Sequence, residues 1–176
     1  MGSKHVNRAY LALGSNILPE ENLPAAVAAL TQFGEIEQVS SVWESAPVGD
    51  TNQANFLNAA VLLTTTLSAH EVRLNAIDFV EQQLKRKRDA ENINAARTID
   101  IDIALFNQDI LRIEHRKIPD PEIFERAFLA IPLAEIDPGY LHPETNQTLN
   151  EIAEGFRSSA NVMQRRLDVR LRNEES

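Results

Sequence analysis

The chain has no cysteine, which excludes a disulfide framework and thiolate chemistry. It has no run of about 18 apolar residues, so a membrane-spanning helix is not expected. No GxxxxGK[ST] segment occurs, and a Walker-A phosphate loop is thereby removed. Basic residues are in deficit, 17 Lys and Arg against 26 Asp and Glu, and the formal net charge is −9. Aromatic residues make up only 6%. A general nucleic-acid binder carries the opposite field, so no nucleic-acid partner is expected. The start, MGSKHVNRAY, lacks the apolar core of a signal peptide. A cytoplasmic location without a membrane partner is the expectation.

What is present is ordinary for a globular protein: 176 residues, 43% hydrophobic and 24% charged. That length is enough for one domain with a substantial core. No internal repeat or low-complexity linker interrupts it. A single domain over 1–176 is expected, with its core at 8–156 and a C-terminal extension at 157–176.

Local patterns give an order of elements. Residues 9–13 are a short apolar run stopped by GSN, a buried strand and a turn. ENLPAAVAAL places Leu23, Ala26, Val27 and Leu30 at helical spacing, with Pro24 early, where a helix tolerates it. EIEQVSSVWES reads as a second strand and FLNAAVLLTTT as a third. Ser68 and Glu71 form a capping-box pattern opening a helix that carries Val72, Ala76, Phe79 and Val80 on one face. A polar loop at 85–96 leads to a last strand. The order β-α-β-β-α-β predicts an α+β, ferredoxin-like fold, an antiparallel sheet flanked by helices. Short helices are expected at 126–136 and 149–156. Alternating Leu167, Val169 and Leu171 predict one more strand.

The last core strand carries an anomaly. In ARTIDIDIALF, Ile99, Ile101 and Ile103 alternate with Asp100 and Asp102. Side chains at i and i+2 share a strand face, about 6.6 Å apart, so two carboxylates aim at one volume. Such a pair suits Mg²⁺, which takes one or two protein carboxylates together with substrate phosphates. Arg97 and the Arg86/Arg88 cluster are placed to neutralise phosphate charge. The alternative is the polar face of an edge strand, with each acid paired to a nearby Arg or Lys. A second clue lies at 44–58, where Phe56 and Asn58 share a face. An aromatic face with an amide at its edge suits a flat heteroaromatic ligand, although Phe56 also fits a plain core role. A base-stacking RNA module is the alternative from another class, and the acidic balance opposes it.

LALGSN, ESAPVGDTNQANFLNAAV, ARTIDIDIALF, IPDP and ERAFLAIPLAEIDP together resemble, in order, the hydroxymethyldihydropterin pyrophosphokinase family of folate synthesis. The resemblance covers roughly residues 8–140. It implies a ferredoxin-like fold and transfer of the β,γ-pyrophosphate of ATP to the 6-hydroxymethyl group of a reduced pterin. It further implies two Mg²⁺ ions on Asp100 and Asp102, and ATP contacts from Arg86, Arg88, Arg97, Ile103 and Arg126. The first three of these arginines are also implied in catalysis. A pterin pocket of Ser45, Ala46, Val48, Phe56, Asn58 and Phe128 follows, with Glu81 as structural support and a monomer as the working unit. The chain departs from the family at three places. INAAR stands where a Trp-Gly/Ala-Pro-Arg run is usual. Asp120 in IPDP replaces a His, and Ala46 replaces a Pro. An acid at 120 repels triphosphate unless a cation or Arg126 compensates. His115 and Lys117 lie where the family adds nucleotide contacts.

Overall fold

A computed structural model describes residues 5–157 and 163–172. β1 (Asn7–Ser15) runs between β4 (Phe56–Thr65) and β5 (Asp100–Phe106), antiparallel to both. The second predicted strand is broken into β2 (Glu35–Val39) and β3 (Val42–Ser45), and both halves pair with β4. The break falls at Ser40, whose hydroxyl accepts from the Ala60 N–H at 2.8 Å and donates to the Ser41 carbonyl at 2.7 Å. A side chain thus takes over where the ladder is interrupted. The sheet order is β5-β1-β4-β3, as a ferredoxin-like arrangement requires, with β8 (Gln164–Arg166) added beside β3 and β2 also on β4.

α1 (Pro19–Leu30) and a composite helix cover one face. The composite helix consists of α2 (Ala69–Glu71), a π-helical stretch Val72–Ile77 and α3 (Asp78–Gln83). The predicted capping box is present: Glu71 N–H donates to Ser68 Oγ at 3.2 Å, and Ser68 N–H donates to Glu71 Oε2 at 2.7 Å. Val72, Ala76 and Val80 are buried as expected, but Phe79 is 42% exposed and Ile77 is buried in its place. The wider π turn rotates the later residues around the axis, which corrects a face drawn for a regular α-helix. Phe79 packs instead edge-on against Phe33, at 5.5 Å.

The opposite face is also covered, but only in part. α4 (Ala127–Ile136) and α5 (Leu149–Arg157) pack on Tyr10, Ala60, Leu62 and Ala104. Two covered faces explain why β4 is apolar almost throughout rather than alternating. The end of that face holding Ala12, Gly14 and Asn58 is left for a pocket. β6 (Leu111–Ile113) and β7 (Arg116–Ile118) form a separate hairpin against β5.

The C-terminal strand is not where the alternation predicted it. β8 (Gln164–Arg166) pairs with β3, and the chain turns at Leu167. Arg166 grips Asp168 through two bonds of 2.8 Å, which bends the chain away from the ladder. Leu171 is nevertheless buried in the core near α1 and Val169 packs partly against it, whereas Leu167 is exposed, so only the later part of the alternation reflects packing. Part of the expected extension, 158–162 and 173–176, lies outside the described residues. Among the described residues no helix is long and apolar enough to cross a membrane.

Candidate active site

The pocket is built on three neighbouring strands. Gly14 pairs with Asn58 on one side and Asp100 on the other, and Ala12 pairs with Asp102. Strands lie about 4.8 Å apart, so Asn58 and Asp100 stand about 10 Å from each other across the glycine. A Cβ at Gly14 would lie 3.6 Å from Asn58 Oδ1 and 3.8 Å from Phe56. These are ordinary contact distances, so the fold itself leaves room for it. The space above Gly14 belongs to the pocket.

On the Asn58 side the walls are uncharged. Asn58 is buried, and its amide nitrogen donates to the Trp43 carbonyl at 3.1 Å and to Ser45 Oγ at 2.7 Å. With both amide hydrogens used, Oδ1 is left as an acceptor at the pocket wall. Phe56 on β4, Ala46 and Val48 on the loop between β3 and β4, and Phe128 near the start of α4 complete this half. The predicted pterin-side residues are thus all brought to one cavity, Phe128 included although it is far along the chain.

The Asp100 side carries the charged groups of the pocket. Asp100 accepts from Arg86 at 2.7 Å and from Arg97 at 3.2 Å. Asp102 pairs with Arg116 at 3.1 Å. Arg86 also donates to Glu81 at 2.7 Å, and Arg88 pairs with the other Glu81 oxygen at 3.0 Å. Glu81, only 5% exposed, further accepts from the Ile101 N–H at 3.4 Å and so ties the helix to the carboxylate strand. The edge-strand alternative is therefore correct as a description: β5 ends the sheet path and both acids are paired. Yet the guanidiniums do not satisfy the site. Burial first, and then the Asp100 charge, push the Asp102 carboxyl up to about 7 against the pull of Arg116. A further cation at these hard oxygen donors would favour the ionised pair. Among the described residues no group of three or more acids or histidines converges on a point. Two carboxylates with open positions fit Mg²⁺, which keeps waters and phosphate oxygens as its other ligands.

Arg97 joins the two halves. Its guanidinium carbon lies 5.7 Å from the centre of the Phe56 ring while its Nη1 reaches Asp100. The loops above are tied together by amides. Asn92 donates to Asp50 at 3.0 Å, Asn16 donates to Gln53 at 2.7 Å, and Gln53 donates to the Asn94 carbonyl. Asn94, within INAAR, lines the pocket.

Not all predicted residues come to the cavity wall. Arg97 and Arg126 do, with Asp100 and Asp102. Arg86 is held between Glu81 and Asp100 with a side chain only 10% exposed, and Arg88 points outward from Glu81. The Ile103 side chain packs in the core on the other sheet face, because odd positions of β5 alternate away from the aspartates. Lys117 pairs with Glu144 at 2.8 Å. Asp120 accepts from the Glu122 N–H at 2.9 Å, capping the short 3₁₀ turn Pro121–Phe124. Its carboxyl is raised by burial, and the cation that opposes this is Arg116, not Arg126. Arg116 and Gly14 were not singled out from sequence. A glycine in LALGSN reads as a turn residue, and nothing in EHRK marks which cation reaches back to β5.

Geometry of this kind suits transfer of a phosphoryl or pyrophosphoryl group to a substituent on a flat ring. Comparison with known proteins makes that specific. The chain matches the family model for 7,8-dihydro-6-hydroxymethylpterin-pyrophosphokinase over residues 10–138, and it belongs to that family. It is 43% identical over 133 residues to the 2-amino-4-hydroxy-6-hydroxymethyldihydropteridine pyrophosphokinase of Bacillus subtilis (strain 168), covering 74% of this chain and 78% of that protein. Identity to the protein of the same name from Aquifex aeolicus is 38% over 143 residues, 81% and 88% of the two chains. Among solved structures, Plasmodium falciparum HPPK-DHPS aligns with a TM-score of 0.71 at 16% identity, over 94% of this chain. The chain spans about half the length of that structure, 48%, and the likeness is one of fold.

Proposed function

We propose that the chain carries out its family's reaction at this pocket: transfer of pyrophosphate from ATP to the 6-hydroxymethyl group of a 7,8-dihydropterin, releasing AMP, in folate synthesis. The observation that carries the reading is the row Asn58–Gly14–Asp100, which sets an uncharged ring slot beside a carboxylate pair on one sheet face.

In this reading Phe56 and Phe128 hold the pterin ring, with Val48 and Ala46 closing the slot. Asn58 Oδ1 accepts from an N–H of the ring edge, and Ser45 keeps the amide turned that way. Asp100 and Asp102 hold two Mg²⁺ ions, which supply charge stabilisation for the in-line displacement of AMP. Arg97 and Arg126 face the nucleotide phosphates, with Arg86 and Arg88 contributing from the loop behind them. The donor set consists of positioned charges, so catalysis is positioning and electrostatics without a covalent intermediate. The hydroxymethyl oxygen attacks the β-phosphorus and gives up its proton to solvent, the bond from the β-phosphorus to the bridging oxygen breaks, and AMP leaves with that oxygen. The amide ties between the 46–55 and 86–98 loops exclude water, which competes as acceptor. We further assign one domain, a monomer and a cytoplasmic location to the chain.

The test is AMP release from Mg-ATP with and without 6-hydroxymethyl-7,8-dihydropterin, followed by identification of the pterin product. AMP that depends on the pterin, with a diphosphorylated pterin, is the expected result. Binding of both ligands without AMP would leave a pterin-binding protein and overturn the catalytic assignment.

A further inference from the structure

The substitution at residue 120 places an acid on the wall that the proposed function gives to triphosphate. Asp102 and Asp120 both line the pocket, and Glu122 lies beside them. Burial raises the Asp120 and Glu122 carboxyls above their ordinary range. ATP brings about four more negative charges to the same wall, so an uncompensated acid there opposes binding.

The compensating cation comes from outside the cavity. The β6–β7 hairpin pairs Leu111 with Ile118 and Ile113 with Arg116, and buried Ile113 and Ile118 anchor it. That anchoring brings the Arg116 guanidinium over β5, where Nη1 lies 3.1 Å from Asp102 Oδ1. The side chain is 54% exposed, and this ion pair is its one fixed contact among the described residues. One guanidinium acts on Asp102, Asp120 and Glu122 together. Arg126, in contrast, acts on Glu122 and not on Asp120.

We propose that Arg116 is a nucleotide-binding residue that exchanges partners. In the free protein it stands in for a cation at Asp102. When Asp102 takes a metal ion, the guanidinium is released toward the nucleotide phosphates and screens Asp120 from them. Its long, exposed stem makes that swing inexpensive, and a planar fork suits phosphate oxygens as well as it suits a carboxylate. The nucleotide half of this proposal rests on the function proposed above; the competition at Asp102 does not.

Two binding measurements without turnover test it, on wild type, Arg116→Met, Arg116→Lys and Arg116→Met/Asp120→Asn. Arg116→Met tightens binding of Mn²⁺ alone by up to about fivefold, because a competitor for Asp102 is gone. The same change weakens a non-hydrolysable Mg-ATP analogue by about tenfold, because a charge-assisted contact to phosphate is lost. Arg116→Lys keeps most of the analogue affinity, and adding Asp120→Asn to Arg116→Met recovers most of the loss. Pterin affinity is unchanged throughout. Opposite signs for metal and nucleotide are the expected signature. Changes of the same sign, or an unchanged analogue affinity in Arg116→Met, overturn the proposal alone. A wild-type protein that binds no analogue overturns both this and the functional reading.

Discussion

The two halves of the pocket are built on opposite principles. Around Asn58 both amide hydrogens already have partners, and these are backbone or hydroxyl groups that stay where they are and leave Oδ1 facing the pocket. Around Asp100 and Asp102 the partners are arginines on long stems, and in the proposed function each yields some of its hold to cations and phosphate. The ring side is preorganised by neutral hydrogen bonds. The carboxylate side is held by arginine counterions, with Glu81 as its buried anchor. A neutral slot keeps its shape when empty. A cluster of like charges does not, unless cations are supplied in advance.

The largest effect expected from this contrast is on the carboxylates. Asp100→Ala and Asp102→Ala should each lower pterin-dependent AMP release by at least about a thousandfold, the size of a lost metal contribution of several kcal/mol. Pterin affinity should hold, since the ring side shares none of those ion pairs. Retained turnover in either variant would remove the metal assignment.

Glu81→Gln should damage the fold rather than the chemistry. It weakens a buried anchor of Arg86, at a cost of about 3 kcal/mol in urea unfolding. Arg88→Ala, on the exposed side of the same acid, should cost under about 1 kcal/mol. Equal effects would mean that Glu81 anchors nothing.

Gly14→Ala probes the line where the halves meet. A methyl group there meets no protein atom closer than 3.6 Å, and alanine is the better strand residue by about 0.5–1 kcal/mol. Stability should hold or rise, while kcat falls by about tenfold because the methyl stands between ring and phosphate. A fall in stability with normal kcat would show that the glycine serves the fold.

The smallest effect is on pH dependence. Asp102 is raised from 3.8 to about 7 by burial and by Asp100. A raised acid stabilises the fold fully below its unfolded value, and the contribution is lost as pH rises through about 7. The metal-free protein should therefore lose thermal stability from about pH 4 to about pH 7 and level off above that, and Asp102→Asn should flatten that slope. Excess Mg²⁺ should stabilise wild type more at pH 8 than at pH 6. An unchanged slope in Asp102→Asn would place the titration elsewhere.

Much of the pattern was legible before the fold was known. Period-2 alternation around Asp100 and Asp102 decides that both share a strand face, whatever the strand packs against. The capping pair Ser68 and Glu71 decides a helix start through contacts three residues apart. The order of strands and helices decides a ferredoxin-like sheet, because few topologies connect it. These are local, periodic or topological properties, and a sequence carries them directly.

Other features exist only through contacts between distant segments. The π turn that rotates Phe79 outward and the β8 strand that precedes its predicted place are settled by packing and by Arg166 gripping Asp168. The covering of only part of the second sheet face, which makes a pocket at all, is decided by where α4 docks. The placing of Arg116 beside Asp102 depends on a hairpin anchored by Ile113 and Ile118. The amino-acid sequence by itself determined which residues could face one another along an element. Only the tertiary structure decided which cation stands by which carboxylate, because charge pairing acts through space and a long side chain chooses its partner after the backbone is in place.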